Sequence, residues 1–293
     1  MVFRTTHSII VKMRSLQKPV FALLIAATIQ GSTFPLQKLV LSGVSPFVFN
    51  ALRFGFAAAV SFFVFGRGDI FKGVILGTVL SVGYVTQTWG LTLTSASKSG
   101  FIVSLYTVLI PIFSYIVERE KITRIQGISF ALSVLGSYLL SGGARGFNFG
   151  DLLMLVCAAS FALHIVLITR FSQQVAEGQL LFPQFLAVAL INAVAGVTKN
   201  WSFPIPTYFV AIYSALLATV LGIYLQLRFQ KEVGSNRTGL IFVTLPVSSA
   251  IFSYLILGEK LSPLQTTGAS IMVIALIVSS LGSSPTVREG NRA

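Results

Sequence analysis

The stretch from Lys98 to Ile128 returns 139 positions later, from Arg237 to Thr267. In that register Lys98 meets Arg237, Gly100 meets Gly239, and Phe113-Ser114-Tyr115 meets Phe252-Ser253-Tyr254. Glu120-Lys121 meets Glu259-Lys260, and Gln126 meets Gln265. Each copy reads as an apolar helix, an acidic-basic pair at its end, a short turn and a second apolar helix. A unit of this kind written twice marks a duplicated membrane protein.

The apolar residues fall in long blocks with short polar joints, so each block is read as a helix crossing a hydrocarbon core about 30 Å thick. The expected spans are 19–39, 45–66, 70–91, 96–118, 122–141, 149–170, 180–199, 205–228, 235–257 and 261–282. Breakers stand at the joints: Ser45-Pro46, Gly66-Arg67-Gly68, Gly142-Gly143, Pro204 with Pro206, and Ser262-Pro263. Five spans per half is an odd number, so the second half enters the membrane from the opposite face. The fold class expected is all-α integral membrane, with ten transmembrane helices as two inverted five-helix repeats. The repeats are residues 19–141 and 149–282, with a linker at 142–148 and tails at 1–18 and 283–293.

Charge gives an independent reading. With the N-terminus inside, the inner segments hold fifteen Lys and Arg and the outer segments five, leaving Arg53 within a helix. That asymmetry places both termini in the cytoplasm of a multi-pass protein of the cell membrane. Only 10% of residues are charged and 54% are hydrophobic, against about 25% charged in a soluble domain. The net charge of +13 therefore belongs to loops that face anionic lipid, and nucleic acid is not an expected partner. The basic segment from Met1 to Lys18 runs into an apolar block too long for a signal peptide, which reads as a retained first span.

Small residues supply packing faces. Ser129, Gly136 and Gly143 lie seven apart on the fifth span, and their register partners are Gly268, Ala275 and Gly282 on the tenth. Such stripes let backbones approach in lipid. The contact could be within the bundle or between two copies of the chain in a homodimer.

The run Gly258–Gln265 (G-E-K-L-S-P-L-Q), its counterpart Glu120–Gln126, Arg53 after Pro46 and the pair Gly31-Ser32 together resemble the drug/metabolite transporter superfamily. Within it they resemble the EamA-type membrane proteins, over about residues 19–282. The resemblance implies a small-molecule carrier. It leaves the substrate open, because that superfamily moves amino acids, drugs, nucleotide sugars and sugar phosphates. Ile29-Gln30 stands where many relatives carry a tryptophan.

No enzyme is expected. All eight acids lie at helix ends or in loops, the two histidines are far apart, and no H-E-x-x-H or G-x-x-x-x-G-K-[ST] occurs. No metal, cofactor or direct use of ATP follows. Cys157 reads as a small packing residue. His164, near the centre of the sixth span, reads either as a neutral residue hydrogen-bonded to a neighbouring helix or as a cavity-lining group that touches substrate or relays a proton.

Arg53 costs about 2.5–3.5 kcal/mol at mid-membrane on insertion scales, so it faces the bundle interior or snorkels outward. Asn50, one turn earlier, could share its hydrogen bonds. Lys98 and Arg237 could guide an anion from opposite sides of the midplane, or could both be interfacial. Gln30, Thr33 and Gln37 on the first span, Gln87 and Trp89 on the third, Thr107 on the fourth, Tyr213 on the eighth and Thr244 on the ninth complete the candidate cavity residues. Pro111 and Pro246 are expected to interrupt the fourth and ninth spans.

The function expected is a secondary transporter that moves a small amino-acid-like or amphipathic metabolite by alternating access. One alternative is an organic-anion or sugar-phosphate exchanger using Lys98, Arg237 and Arg53. The other is a non-transporting membrane receptor or scaffold.

Overall fold

A computed structural model describes residues 2–118, 123–140, 146–233, 238, 241–242 and 244–281. Twelve α-helices build the described chain: α1 Val2–Val40, α2 Pro46–Phe65, α3 Ile70–Leu93, α4 Ala96–Val103, α5 Tyr106–Glu118 and α6 Arg124–Leu140 in the first half. The second half holds α7 Phe149–Phe171, α8 Leu181–Ala195, α9 Ile205–Tyr213, α10 Gly222–Val233, α11 Thr244–Leu257 and α12 Pro263–Leu281. A 3-10 turn, Glu177–Leu180, leads into α8, and a π-helical segment, Ser214–Leu221, joins α9 to α10. Taken with that segment, α9 and α10 form one span, as do α4 and α5, which gives ten spans among the described residues. Among the described residues seven helical segments are long and apolar enough to cross a membrane, and Gly127–Leu140 and Thr244–Leu257 are shorter apolar helices. The apolar part of α1 is Gln17–Val40, although its backbone is helical from Val2.

The joints behave as their chemistry dictates. Pro46 opens α2, where its missing N–H costs nothing. Gly66 and Gly68 take φ of 76° and 67° between α2 and α3. Asp69 caps α3, accepting from the Lys72 side chain at 2.8 Å and its N–H at 3.0 Å. These bonds hold its carboxyl below the usual carboxylate range.

The Gly258–Gln265 run now has a physical reading. Glu259 reaches across to α4 and accepts the N–H groups of Ala96 and Ser97, both at 2.9 Å. It satisfies two of the orphan donors at that helix start. Ser262 and Gln265 form a reciprocal capping box at the start of α12, with bonds of 2.9 and 3.3 Å. The first-half equivalents, Glu120 and Lys121, lie outside the described residues.

The fourth span breaks at Ser104–Leu105, where the helix tightens into i−3 bonds from Leu105 and Thr107, both 3.1 Å. The second-half equivalents are Val243 and Thr244, and there too a turn precedes α11, with Leu245 N–H on Phe242 O at 3.0 Å. Pro111 sits inside α5, past the break. The interruption therefore follows the repeat rather than the prolines, which are not in register with each other.

Helices α6 and α12 pack on one another along the described part of their small-residue stripes; Gly143 and Gly282 lie outside the described residues. A Cβ on Gly136 would lie 2.6 Å from Met272 Cγ and 2.9 Å from Gly268 O. Gly136→Ala is expected to cost about 1–3 kcal/mol through overpacking. A fall in the detergent unfolding midpoint checks this, and an unchanged midpoint would mean that the two helices are not in contact. The remaining pairings are α3 along α7 and α8, α2 along α8, α1 along α11 and α10, and α4 against α11. They enclose two core clusters, one around Phe34, Phe49, Tyr106 and Leu245 and one around Phe54, Tyr84, Phe185 and Ile223.

Candidate functional site

A cleft opens where the two core clusters meet, with about 590 Å³ free of protein atoms, its mouth included. Its walls come from both halves: Gln30, Thr33 and Phe34 of α1, Arg53 of α2, Leu80, Tyr84 and Gln87 of α3, Val103 and Tyr106 at the α4–α5 break, Phe161, His164 and Ile165 of α7, Ile223 and Gln226 of α10, and Phe242 and Leu245 beside and within α11. Apolar walls with a few convergent polar groups are what a small-molecule site needs.

Arg53 is the dominant feature. It is 2% exposed, so it faces the interior and does not snorkel. Its Nε donates to Thr219 Oγ1 at 2.9 Å. The π-helical segment makes that possible: Thr219 in turn donates to Ser214 O, five residues back, at 2.8 Å. A π-helical turn is a common way to re-aim a functional side chain. The guanidinium carbon lies 4.7 Å from the Tyr84 ring centroid and 5.2 Å from that of Phe54, within cation–π range. Its Nη1 has no hydrogen-bond partner. No aspartate or glutamate lines the cleft among the described residues.

Asn50 does not share the hydrogen bonds of Arg53. Its amide donates to Tyr84 O at 3.0 Å and Asn192 Oδ1 at 3.2 Å, and its Oδ1 accepts from Thr88 at 2.9 Å. This buried network ties α2 to α3 and α8 and sets the depth at which Arg53 sits. His164 Nε2–H donates to Gln184 Oε1 at 3.1 Å, so it is both fastened to a neighbouring helix and part of the cleft wall.

Of the candidates from sequence, Gln30, Thr33, Arg53, Gln87 and His164 meet in the cleft. Gln37 and Thr107 are buried away from the lining. Trp89 is 39% exposed and packs on Phe47 and Phe149, with centroids at 6.1 and 5.6 Å. Tyr213 shares a 2.7 Å hydrogen bond with Ser32, linking α9 to α1. Thr244 begins α11, next to the lining residue Leu245. Arg237 lies outside the described residues. Lys98 does not line the cleft: its Nζ lies 2.7 Å from Asp151 Oδ2, with both side chains buried.

Besides the apolar walls, two polar lining residues, Tyr84 and Gln226, escaped the sequence reading. Tyr84 lies three positions before Gln87, on the same helix face, and that spacing was the available signal. Gln226 was obscured by the polar end of the eighth span; its Nε2 donates to Gln230 Oε1 at 3.0 Å.

The sequence profile of the EamA-like transporter family matches this chain twice, at residues 17–142 and 148–281. An uncharacterized transporter of Archaeoglobus fulgidus is 37% identical over 262 residues, covering 88% of this chain and 84% of that protein. The uncharacterized transporter YyaM of Bacillus subtilis is 27% identical over 276 residues, covering 85% and 89%. An S-adenosylmethionine/S-adenosylhomocysteine transporter of Chlamydia muridarum is 23% identical over 283 residues, covering 87% and 89%. A crystal structure of a protein 19% identical to this one superposes with a TM-score of 0.67, over 88% of this chain and 95% of that one, which supports the fold.

Proposed function

Because this chain belongs to the EamA-like transporter family, we propose that it is a secondary transporter that carries a small amphipathic, amino-acid-like metabolite across the cell membrane by alternating access. The observation that carries this reading is the cleft between the two core clusters, with polar groups from both halves around a buried arginine. Two inverted halves can rock about such a site and expose it to one face at a time. The end of the bundle that holds Arg67, Lys72, Arg170 and Arg228 is the cytoplasmic one on this reading, since cytoplasmic loops are the richer in Lys and Arg.

The Chlamydia relative moves S-adenosylmethionine and S-adenosylhomocysteine, which supports an amino-acid-derived substrate at the level of chemical class. The anion-exchanger alternative loses one of its three cations, because Lys98 is already paired with Asp151. Proteoliposomes preloaded with S-adenosylmethionine or with each protein amino acid in turn test the reading by counterflow of the same labelled compound. At least one is expected to show saturable exchange that empty liposomes lack. Binding in detergent with no exchange of any compound would favour the receptor reading instead.

A further inference from the structure

The cleft poses an electrostatic problem that its own residues do not solve. A guanidinium 2% exposed is expensive away from water unless a negative group answers it. Among the described residues the protein supplies neutral partners only: the Thr219 hydroxyl on Nε, the nearby Tyr84 hydroxyl and two aromatic faces. Every ion pair among the described residues lies elsewhere, on Asp69, Asp151, Glu177 or Glu232. Nη1, meanwhile, is buried without a hydrogen-bond partner, on a side chain that lines the cleft.

The mounting of the arginine explains why its free edge is stationary. Thr219 holds Nε through the π-helical segment, and the Tyr84 ring lies beside the guanidinium plane. A fork held in this way is pre-organised for a planar anionic group, and a carboxylate matches it best. Apolar and aromatic surface continues from that point through Phe161, Ile165 and Ile223.

We infer that the substrate is a small organic acid whose carboxylate is bound by Arg53 while its apolar or aromatic body lies along the cleft. This narrows the amphipathic, amino-acid-like metabolite of the proposed function to one held by its carboxylate, and it rests on that reading only for the claim that the bound acid is moved.

The test is binding to the full-length protein in detergent, read as a thermal shift. The probes are benzoate, phenylacetate, hydrocinnamate, isovalerate and phenylalanine, each beside its primary amide. At least one acid should raise the unfolding midpoint while its amide does not. Arg53→Gln should weaken the active acid about 10- to 100-fold, the range for losing a hydrogen bond to a charged group.

Should Arg53→Gln fail to give a monodisperse protein, Arg53→Lys serves in its place. It keeps the charge, loses the fork and should bind about tenfold more weakly. No shift with any of these acids, equal shifts with acid and amide, or undiminished binding by the variant would overturn the inference. The active acid is then tested for counterflow. Binding without exchange would remove the transport reading and leave the carboxylate site standing. Exchange carried equally by the Arg53 variant would remove the site and leave the transport reading standing.

Discussion

Asp151→Asn is expected to destabilise the protein by about 3–5 kcal/mol, the usual result of removing one member of a buried ion pair. The carboxylate is completely buried and Lys98 nearly so, at 0% and 7% side-chain exposure. Asp151 Oδ1 accepts from Thr94 Oγ1 at 2.8 Å, and Oδ2 takes both the Lys98 ammonium at 2.7 Å and the Asn148 N–H at 3.1 Å. In the variant the ammonium faces a neutral amide, with Gly146 O, at 3.0 Å, still accepting from it. A drop on the order of 10 °C in the detergent unfolding midpoint is expected. The double variant Lys98→Met with Asp151→Leu should recover much of it, because two apolar groups leave no charge stranded. If the single variant unfolds at the wild-type temperature, the pair is reached by water and contributes little.

That pair also shows where reading the sequence stops. The duplication aligns Lys98 with Arg237, and its natural suggestion is two equivalent cations working on a substrate. Register says nothing about partners that come from a different span. Asp151 lies at the first turn of α7, looks like an ordinary capping acid, and indeed forms a capping box with Asn148. Only the packing of α4 against α7 brings Lys98 onto it. The features legible in advance were those written as local pattern: apolar blocks of spanning length, proline and glycine at the joints, and the small-residue stripes of α6 and α12; the break in the fourth span was expected at Pro111 and falls at Ser104–Leu105 instead.

In the cleft the same division holds. Arg53, His164, Gln30, Thr33 and Gln87 stood out because polar groups inside apolar helices are costly and therefore need a reason. Tyr84 did not, since a tyrosine is unremarkable in such a helix until the arginine is placed 4.7 Å from its ring. The π-helical segment at Ser214–Leu221 left no mark in an apolar run that fits an ordinary α-helix equally well. Yet that segment holds the threonine that anchors Arg53.

Gly100→Val is expected to abolish transport while leaving the chain folded. A Cβ on Gly100 would fall 2.4 Å from both Cβ and Oγ of Ser249, closer than real atoms approach. Gly31 is seated on the same helix, where a Cβ would lie 2.7 Å from Leu245 O and 2.8 Å from Ser248 Cβ. Along this seam Ser249 Oγ also donates to Ala96 O at 3.1 Å, and Glu259 caps α4 from beyond the end of α11. Two glycines, a cross-helix hydrogen bond and a helix cap thus fasten α1 and α4 of the first half to the α11 end of the second along one seam.

A carrier working by alternating access must part this seam once per cycle. Valine at position 100 penalises only the closed arrangement, so the equilibrium moves toward the parted one. A differential cost of about 3 kcal/mol shifts the ratio more than a hundredfold. Labelling reads the outcome. With Cys157→Ser removing the sole native cysteine, Tyr106→Cys in the cleft wall should react far faster with an impermeant maleimide when Gly100→Val is present. The reagent is added from the face that bears Glu259, and counterflow should be lost in parallel. If the seam instead stays shut throughout the cycle, the valine has no open state to favour. It would then lower the unfolding midpoint by overpacking and leave the labelling rate at position 106 unchanged, and the two halves would have to move about some other contact.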